Sequence, residues 1–280
     1  MGYKILFSDL DGTFLRHDMT ASPTDWDTVH QMAEEGIPFV PCTGRVYSEI
    51  PEELREDPAI RYYISANGAV TYDKATDTRT VCGLDNRLLH QVIDTAEAFG
   101  ALYFVRHGGR THADANRQAD EEYTSRGVKD YDRIFLQERA VRVADFAAFT
   151  RDLEDTEMVI VFLPNVEATA ACKSALEAGG EIHAANSYGT LLEVFHAKAG
   201  KGNALLKLAE TLGIARGETI AVGDTGNDIS SITAAGLGLA VGNATDPLKA
   251  AADAVIVPNT ASPITYIYET YFKGDSHAEV

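Results

Sequence analysis

Short apolar runs, each ending in a polar turn and separated by amphipathic stretches, restrict this chain more than any other feature, because that rhythm dictates a parallel α/β sheet. Ile5 to Ser8 is the first such run, and it delivers Asp9-Leu10-Asp11-Gly12-Thr13. Pro23, behind Ser22 as a predicted N-cap, opens a helix through Trp26, Val29 and Met32 that stops at Gly36. Ile37 to Cys42 reads as a second strand ending in Thr43-Gly44-Arg45, although its two prolines argue against regular pairing. Tyr62 to Ser65 is a third strand, ending in Ala66-Asn67-Gly68-Ala69 ahead of a polar hairpin around Asp73 to Thr78.

After Lys201 the same rhythm returns. A helix over Gly202 to Leu212 leads to a strand at Thr219 to Val222, which ends in Gly223-Asp224-Thr225-Gly226-Asn227-Asp228. Leu237 to Val241, a helix over Pro247 to Ala252, and Ala254 to Val257 complete the sheet. Open α/β sheets bind ligands beyond the carboxyl ends of their strands, which is where these loops fall.

The texture changes between the two α/β stretches. Leu88 to Phe99 is an amphipathic helix, Ala101 to Val105 with the loop Arg106 to Asp114 resembles a hairpin turning at Gly108-Gly109, and Asn116 to Arg133 is too charged to assign. Val159 to Leu163, an alanine-rich helix over Glu167 to Ala178, and the runs Glu181 to Ala184 and Thr190 to Phe195 fit a small α+β unit. The expected organisation is a core in two parts, residues 1–83 and 196–280, with residues 84–195 inserted as a second domain on two hinges.

The chain has 280 residues, 45% of them hydrophobic, enough for a full core. A formal net charge of −18 argues against nucleic acid or an anionic membrane surface as partner and leaves a small anionic substrate open, provided its site carries metal and basic residues. Three irregularly spaced cysteines, Cys42, Cys82 and Cys172, suit reduced thiols, and neither a basic leader nor a membrane-length apolar run is present, so a cytoplasmic, soluble protein is expected. The polar stretch from Lys273 to Val280 reads as a frayed end.

Asp9 and Asp11 would share a face if the first strand continued, since alternate side chains in a strand point the same way. Gly12 breaks that strand. Two acids emerging together repel one another and call for a cation, naturally a hard one with oxygen ligands such as Mg²⁺. With the cation in place, one carboxylate can act as nucleophile and the other can carry a proton.

Four constellations follow strands in order: Asp9-x-Asp11-Gly12-Thr13, Thr43-Gly44-Arg45, Lys201-Gly202 and Gly223-Asp224-x-x-Asn227-Asp228. With them the chain resembles the phosphatases of the haloacid dehalogenase superfamily, and Asn67-Gly68-Ala69 with Gly242-Asn243-Ala244 make it similar to the Cof-type sugar-phosphatase branch. The resemblance implies a Rossmann-like core with an inserted α/β cap of type IIB (C2B). It makes Asp9 the nucleophile that forms an aspartyl-phosphate and Asp11 the group that protonates the leaving alcohol and then activates water. Dehalogenases of the superfamily lack the second acid, so Asp11 favours phosphate esters.

The same resemblance implies Mg²⁺ held by an Asp9 carboxylate oxygen, the main-chain carbonyl of Asp11, and Asp224. Thr43, Gly44 and Lys201 would bind the phosphoryl oxygens, with Gly12 and Asn227 beside them. Asp228 would orient the loop and pair with Lys201, Arg45 would touch substrate or anchor its loop, and Asn67 would support the site. Two departures, Ile229-Ser230-Ser231-Ile232 and Ala261-Ser262-Pro263-Ile264, fall on positions outside the catalytic set. The expected activity is hydrolysis of a small phosphorylated metabolite, a sugar phosphate before others; a phosphomannomutase-type isomerase and a non-catalytic phosphometabolite binder are the alternatives.

Other residues read as structural. His107 and His112 are irregularly spaced loop histidines, Cys42 suits a small buried hydrophobe, and Tyr123, Tyr131 and Tyr188 suit core or hinge packing better than stacking on substrate. Glu193 and His196, near the second hinge, are left open between facing the cleft and a structural place.

Overall fold

The structure is a computed structural model that describes residues 2–117 and 120–273; the side chains of residues 131, 132, 187 and 188, and with them those of Tyr131 and Tyr188, lie outside that description, as does the tail beyond Lys273. The chain forms two compact units. One comprises Met1–Gly44, Ile50–Thr80 and Gly200–Val280, and the other Arg45–Glu49 and Val81–Ala199.

Within the first unit, β1 (Ile5–Ser8) is buried along its whole length and runs parallel to both its neighbours. α1 (Pro23–Glu34) follows and turns Val29 and Met32 inward. Ser22 takes the predicted N-cap backbone, but its hydroxyl pairs with the Ser262 hydroxyl at 2.8 Å instead of capping the helix. β2 shrinks to Phe39–Pro41, as prolines at both its borders require. After the short helix α2 (Glu52–Glu56), β3 (Tyr62–Ser65), β4 (Val70–Asp73) and β5 (Thr78–Val81) form an antiparallel meander, which a bridge between Cys42 and Ile64 ties to the end of β2.

In the second unit, α3 (Asn86–Ala98) starts on the Asp85 carboxylate, which accepts the Leu88 N–H at 2.7 Å. β6 (Leu102–His107) and β7 (Arg110–Asp114) form the hairpin over Gly108-Gly109. The charged stretch that sequence left unassigned holds two helices, α4 (Asp120–Thr124) and α5 (Asp130–Arg139). Then come β8 (Val141–Val143), α6 (Phe146–Thr150), β9 (Met158–Phe162), α7 (Val166–Glu177), β10 (Ile182–Tyr188) and β11 (Leu191–His196). The six strands lie in the order β10-β11-β9-β6-β7-β8. Leu89, Val92 and Ala96 of α3 and Cys172 and Leu176 of α7 pack with Val159, Val161, Leu192 and Val194 in one core.

The segment Arg45–Glu49 is bound into this second unit by charge. Glu49, with a 5% exposed side chain, pairs with Arg106, 10% exposed, at 2.9 Å and accepts the Thr111 hydroxyl, while the Ser48 N–H donates to the Gly109 carbonyl. Glu157, 1% exposed, accepts the Gly109 N–H at 2.8 Å.

The chain then returns to the first unit with α8 (Lys201–Thr211), β12 (Thr219–Gly223), α9 (Ile229–Ala234), β13 (Leu237–Ala240), α10 (Asp246–Ala251), β14 (Ala254–Val255) and α11 (Pro263–Ile267). Its parallel sheet is ordered β14-β13-β12-β1-β2, so strand order reverses at β1 and the crevice for a ligand opens at the carboxyl end of β1. Asp25 of α1, fully buried, caps α11 from outside by accepting the Thr265 N–H at 2.9 Å. Burial raises the Asp25 carboxyl above its ordinary value.

Candidate active site

The four strand-end constellations all lie in the first unit apart from Arg45, and the fold gathers three of their acids, Asp9, Asp224 and Asp228, around one lysine. Lys201, the first residue of α8, is 1% exposed and places its Nζ 2.6 Å from Asp9 Oδ1 and 2.6 Å from Asp228 Oδ1. Burial alone would strip its proton, but the charges of Asp228 and Asp9 outweigh burial and hold it well above the ordinary lysine range. An ammonium has three donors, so one remains beyond these two bonds. The other oxygen of Asp228 accepts the main-chain N–H groups of Asp224 and Thr225 at 3.1 Å each, which folds the loop after β12 around the lysine.

Carboxylate oxygens of Asp9, Asp224 and Asp228 all lie within 4.8 Å of one another. Burial and the Asp228 charge raise Asp9, with Lys201 opposing them, and the same two causes push Asp224 up to about 7. Three carboxylates face one ammonium, leaving an excess of two negative charges when all are ionised. Asp224 Oδ1 is buried with no hydrogen-bond partner among the described residues, where a buried acceptor ordinarily has one. An all-oxygen donor set, an orphaned carboxylate oxygen and a charge deficit of two together fit a hard divalent cation.

β1 ends at Ser8, before either acid of the first motif, so strand alternation does not set their directions. Asp9 is 6% exposed inside the cluster, whereas Asp11 is exposed and its carboxylate lies outside the group of three. Asp228 occupies the third position in that group. Gly12, with φ of +83°, makes the turn between the acids and has the Asp224 carboxylate where a Cβ would stand. Its carbonyl accepts the Asn243 side-chain amide at 2.8 Å, while Asn243 Oδ1 accepts the Asn259 N–H at 2.8 Å. Asn243 is thus a support that sequence reasoning left without a role; its place directly after the β13 strand, like the other site loops, was the available signal.

Thr43 is 1% exposed; its N–H donates to the Ile64 carbonyl at 2.9 Å and its carbonyl accepts the Asn67 N–H at 3.0 Å. Asn227 is exposed, holds the Thr225 hydroxyl at 2.8 Å, and has its amide 3.5 Å from Asn67 Oδ1. Arg45 belongs to the second unit, where its Nη1 donates to the Glu49 carbonyl at 2.9 Å, an anchoring contact.

The other sequence candidates lie outside this cluster. Cys42 is buried and burial pushes its thiol up to about 12, so it is an inert small hydrophobe. His112 stacks on Phe149 at 4.7 Å, and no group of three metal-ligating side chains beyond Asp9, Asp224 and Asp228 occurs among the described residues. Tyr123 is fully buried and packs on Phe104. His196 Nδ1 accepts the Lys198 N–H, and Glu193 lies in mid-strand on β11.

No helix among the described residues is long and apolar enough to cross a membrane. A family model described as haloacid dehalogenase-like hydrolase matches residues 6–267. The chain is 28% identical over 284 residues to phosphatase YwpJ of Bacillus subtilis, covering 94% of this chain and 98% of that protein. It is 27% identical over 254 residues to the HMP-PP phosphatase of Yersinia pestis, covering 88% and 86%. Among solved structures, a haloacid dehalogenase-like hydrolase from Bacteroides thetaiotaomicron superposes with a TM-score of 0.78 at 25% identity over 95% of this chain and 98% of that one. The subclass IIB sugar phosphatase BT4131 superposes with a TM-score of 0.80 at 21% identity, over 96% and 99%. With its parallel α/β core and α/β cap, the chain belongs to the haloacid dehalogenase-like hydrolase family, as a phosphatase of the Cof type.

Proposed function

We propose that this phosphatase is Mg²⁺-dependent and hydrolyses small phosphorylated metabolites, sugar phosphates foremost, in the cytoplasm and through an aspartyl-phosphate on Asp9. The observation that carries the reading is the Lys201 ammonium bridging Asp9 and Asp228 at 2.6 Å. It fixes one oxygen of Asp9 and leaves the other to attack phosphorus. As that bond forms, the bond from phosphorus to the ester oxygen breaks, and the exposed Asp11 carboxyl gives its proton to the departing alkoxide. Asp11 then takes a proton from the water that attacks phosphorus, and the bond to Asp9 breaks with release of phosphate.

The third donor of Lys201, the Thr43 hydroxyl and the Gly44 amide bear on the phosphoryl oxygens. Gly12 and Asn227 lie beside them. Asp9, Asp224 and the main-chain carbonyl of Asp11 would hold Mg²⁺, which when bound supplies charge neutralisation to the phosphoryl group. The three cysteines form no disulfide, in keeping with a reducing compartment. The names of the relatives, among them an HMP-PP phosphatase, support a small phosphometabolite as substrate class.

The test is a phosphometabolite panel with p-nitrophenyl phosphate, assayed for phosphate release with and without Mg²⁺. Turnover that requires Mg²⁺ and disappears in Asp9→Asn is expected. Absence of phosphate release across the panel, or parent-level turnover in Asp9→Asn, overturns the reading.

A further inference from the structure

The turn after β3 is the most strained piece of backbone near the site. Ala66, Asn67 and Gly68 have φ of +49°, +51° and +90°, three left-handed residues in succession, with Ala66 0% and Asn67 3% exposed. A left-handed alanine clashes through its Cβ, and such strain persists only where surrounding contacts over-determine it. No repeated glycine relieves it here, although glycine at both other positions would.

What the turn touches explains its shape. The Asn67 N–H holds the carbonyl of Thr43 at 3.0 Å, so the residue that opens the Thr43-Gly44 loop is gripped at both its amide and its carbonyl by β3 and this turn. Asn67 Oδ1 stands 2.9 Å from where a Cβ on Gly44 would lie, which makes the side-chain amide a wedge under that loop. The Asn227 amide nitrogen is 3.5 Å from the same oxygen. Gly68 abuts the main chain of Gly200 and Lys201 so closely that a Cβ there has no room. One three-residue turn therefore meets the loop of Thr43-Gly44, the start of α8 with Lys201, and the loop that carries Asn227.

We propose that the Ala66-Asn67-Gly68 turn is a template that sets these three loops relative to one another, with Asn67 a positioning residue for the phosphoryl-binding Thr43-Gly44 loop. The inference rests on the phosphatase reading for its kinetic consequence, but its binding consequence stands on oxyanion affinity alone. With φ of +51°, Asn67 aims its N–H at the Thr43 carbonyl, and asparagine is a residue type that tolerates that conformation and carries an amide short enough to reach Gly44 and Asn227.

Two variants test it. Asn67→Gly keeps the left-handed backbone and deletes the wedge, while Asn67→Asp keeps the shape and replaces the amide by a carboxylate beneath the Thr43-Gly44 loop. Orthovanadate binding by calorimetry and the kinetics of p-nitrophenyl phosphate hydrolysis are measured for both and for the parent, with thermal unfolding alongside. Vanadate affinity is expected to fall roughly tenfold in Asn67→Gly, the size of one lost net hydrogen bond's worth of loop support, and further in Asn67→Asp. KM rises correspondingly more than kcat falls, with unfolding midpoints close to the parent's.

Vanadate affinity and KM within twofold of the parent in both variants overturn the proposal, as does an equal loss of kcat with KM unchanged. If Asn67→Gly fails to fold, Asn67→Asp decides by the same readings. A parent that binds vanadate without releasing phosphate refutes the phosphatase reading and leaves the vanadate comparison to judge the turn; a parent that binds no vanadate refutes both.

Discussion

Replacing Lys201 with methionine removes an ammonium from a pocket where three carboxylates crowd within 4.8 Å, while keeping most of the side-chain volume. Two unit charges at that separation repel by about 3.5 kcal/mol at an effective dielectric of about 20. Three such pairs are more than a marginally stable fold can carry, so the variant takes up a proton and retains one charged pair. Its metal-free form should lose about 3–5 kcal/mol of stability near pH 8, the range for stripping one partner from a buried ion pair.

The pH dependence follows from the direction of the shifts. Asp9 and Asp224 already lie above the ordinary aspartate value, Asp224 at about 7, and loss of the lysine raises both further. An acid whose folded pKa is raised contributes most below its unfolded value and loses that contribution as pH rises through the folded value. The penalty of Lys201→Met should therefore shrink between pH 8 and pH 5. Urea unfolding with chelator at pH 5, 6.5 and 8 measures it, and added Mg²⁺ should restore part of the loss in proportion to its occupancy. A variant within about 1 kcal/mol of the parent at pH 8, or a penalty that grows on acidification, refutes the charge balance argued here.

Asp11→Asn should lower kcat by roughly 10²–10⁴-fold on alkyl phosphates, as loss of a general acid and base does, and less in the first step on p-nitrophenyl phosphate, whose leaving group needs no proton; pre-steady-state bursts distinguish the two. Gly12→Ala forces a Cβ into the Asp224 carboxylate at a φ of +83°, and should weaken Mg²⁺ activation in a titration of rate against Mg²⁺. Asp25→Ala uncaps α11 and should cost about 1–2 kcal/mol in urea unfolding. Asp73, held at about 2 chiefly by its forked bond to Arg61, sits on the surface, so Asp73→Asn should cost only about 0.5–1 kcal/mol at pH 7. That contribution is present above the unfolded aspartate value and fades as pH falls towards about 2, so the two proteins should converge under acid.

The core strands were legible because β1, β3 and β12 are continuous apolar runs, as strands buried on both faces must be. Lys201, Asp224 and Asp228 were legible as site candidates by their order along the chain, though the 2.6 Å contacts of Lys201 with Asp9 and Asp228 needed the fold. The period-two alignment of Asp9 and Asp11 was conditional on the first strand continuing, and β1 stops at Ser8 before either acid. α5 escaped notice because Asp130–Arg139 is dominated by charged and polar residues, and a helix so poor in apolar side chains looks like a loop. The left-handed run at Ala66 left only the weak signature of an Asn-Gly pair, since nothing about an alanine announces positive φ. Glu49 and Arg106 lie 57 positions apart, and no sequence rule pairs a glutamate with so distant an arginine.

Their pairing changes what can be cut away. The second unit is not a contiguous cassette, because it owns five residues between Gly44 and Ile50 as well as the long stretch from Val81 to Ala199. Deleting 81–199 to make a minimal hydrolase would leave Glu49 with neither Arg106 nor Thr111, an orphaned carboxylate on the stretch of chain that directly follows Thr43-Gly44. Grafting the unit between relatives meets the same obstacle: the donor must bring its own counterpart of Arg45–Glu49, or the recipient's glutamate must find an arginine waiting in the foreign hairpin.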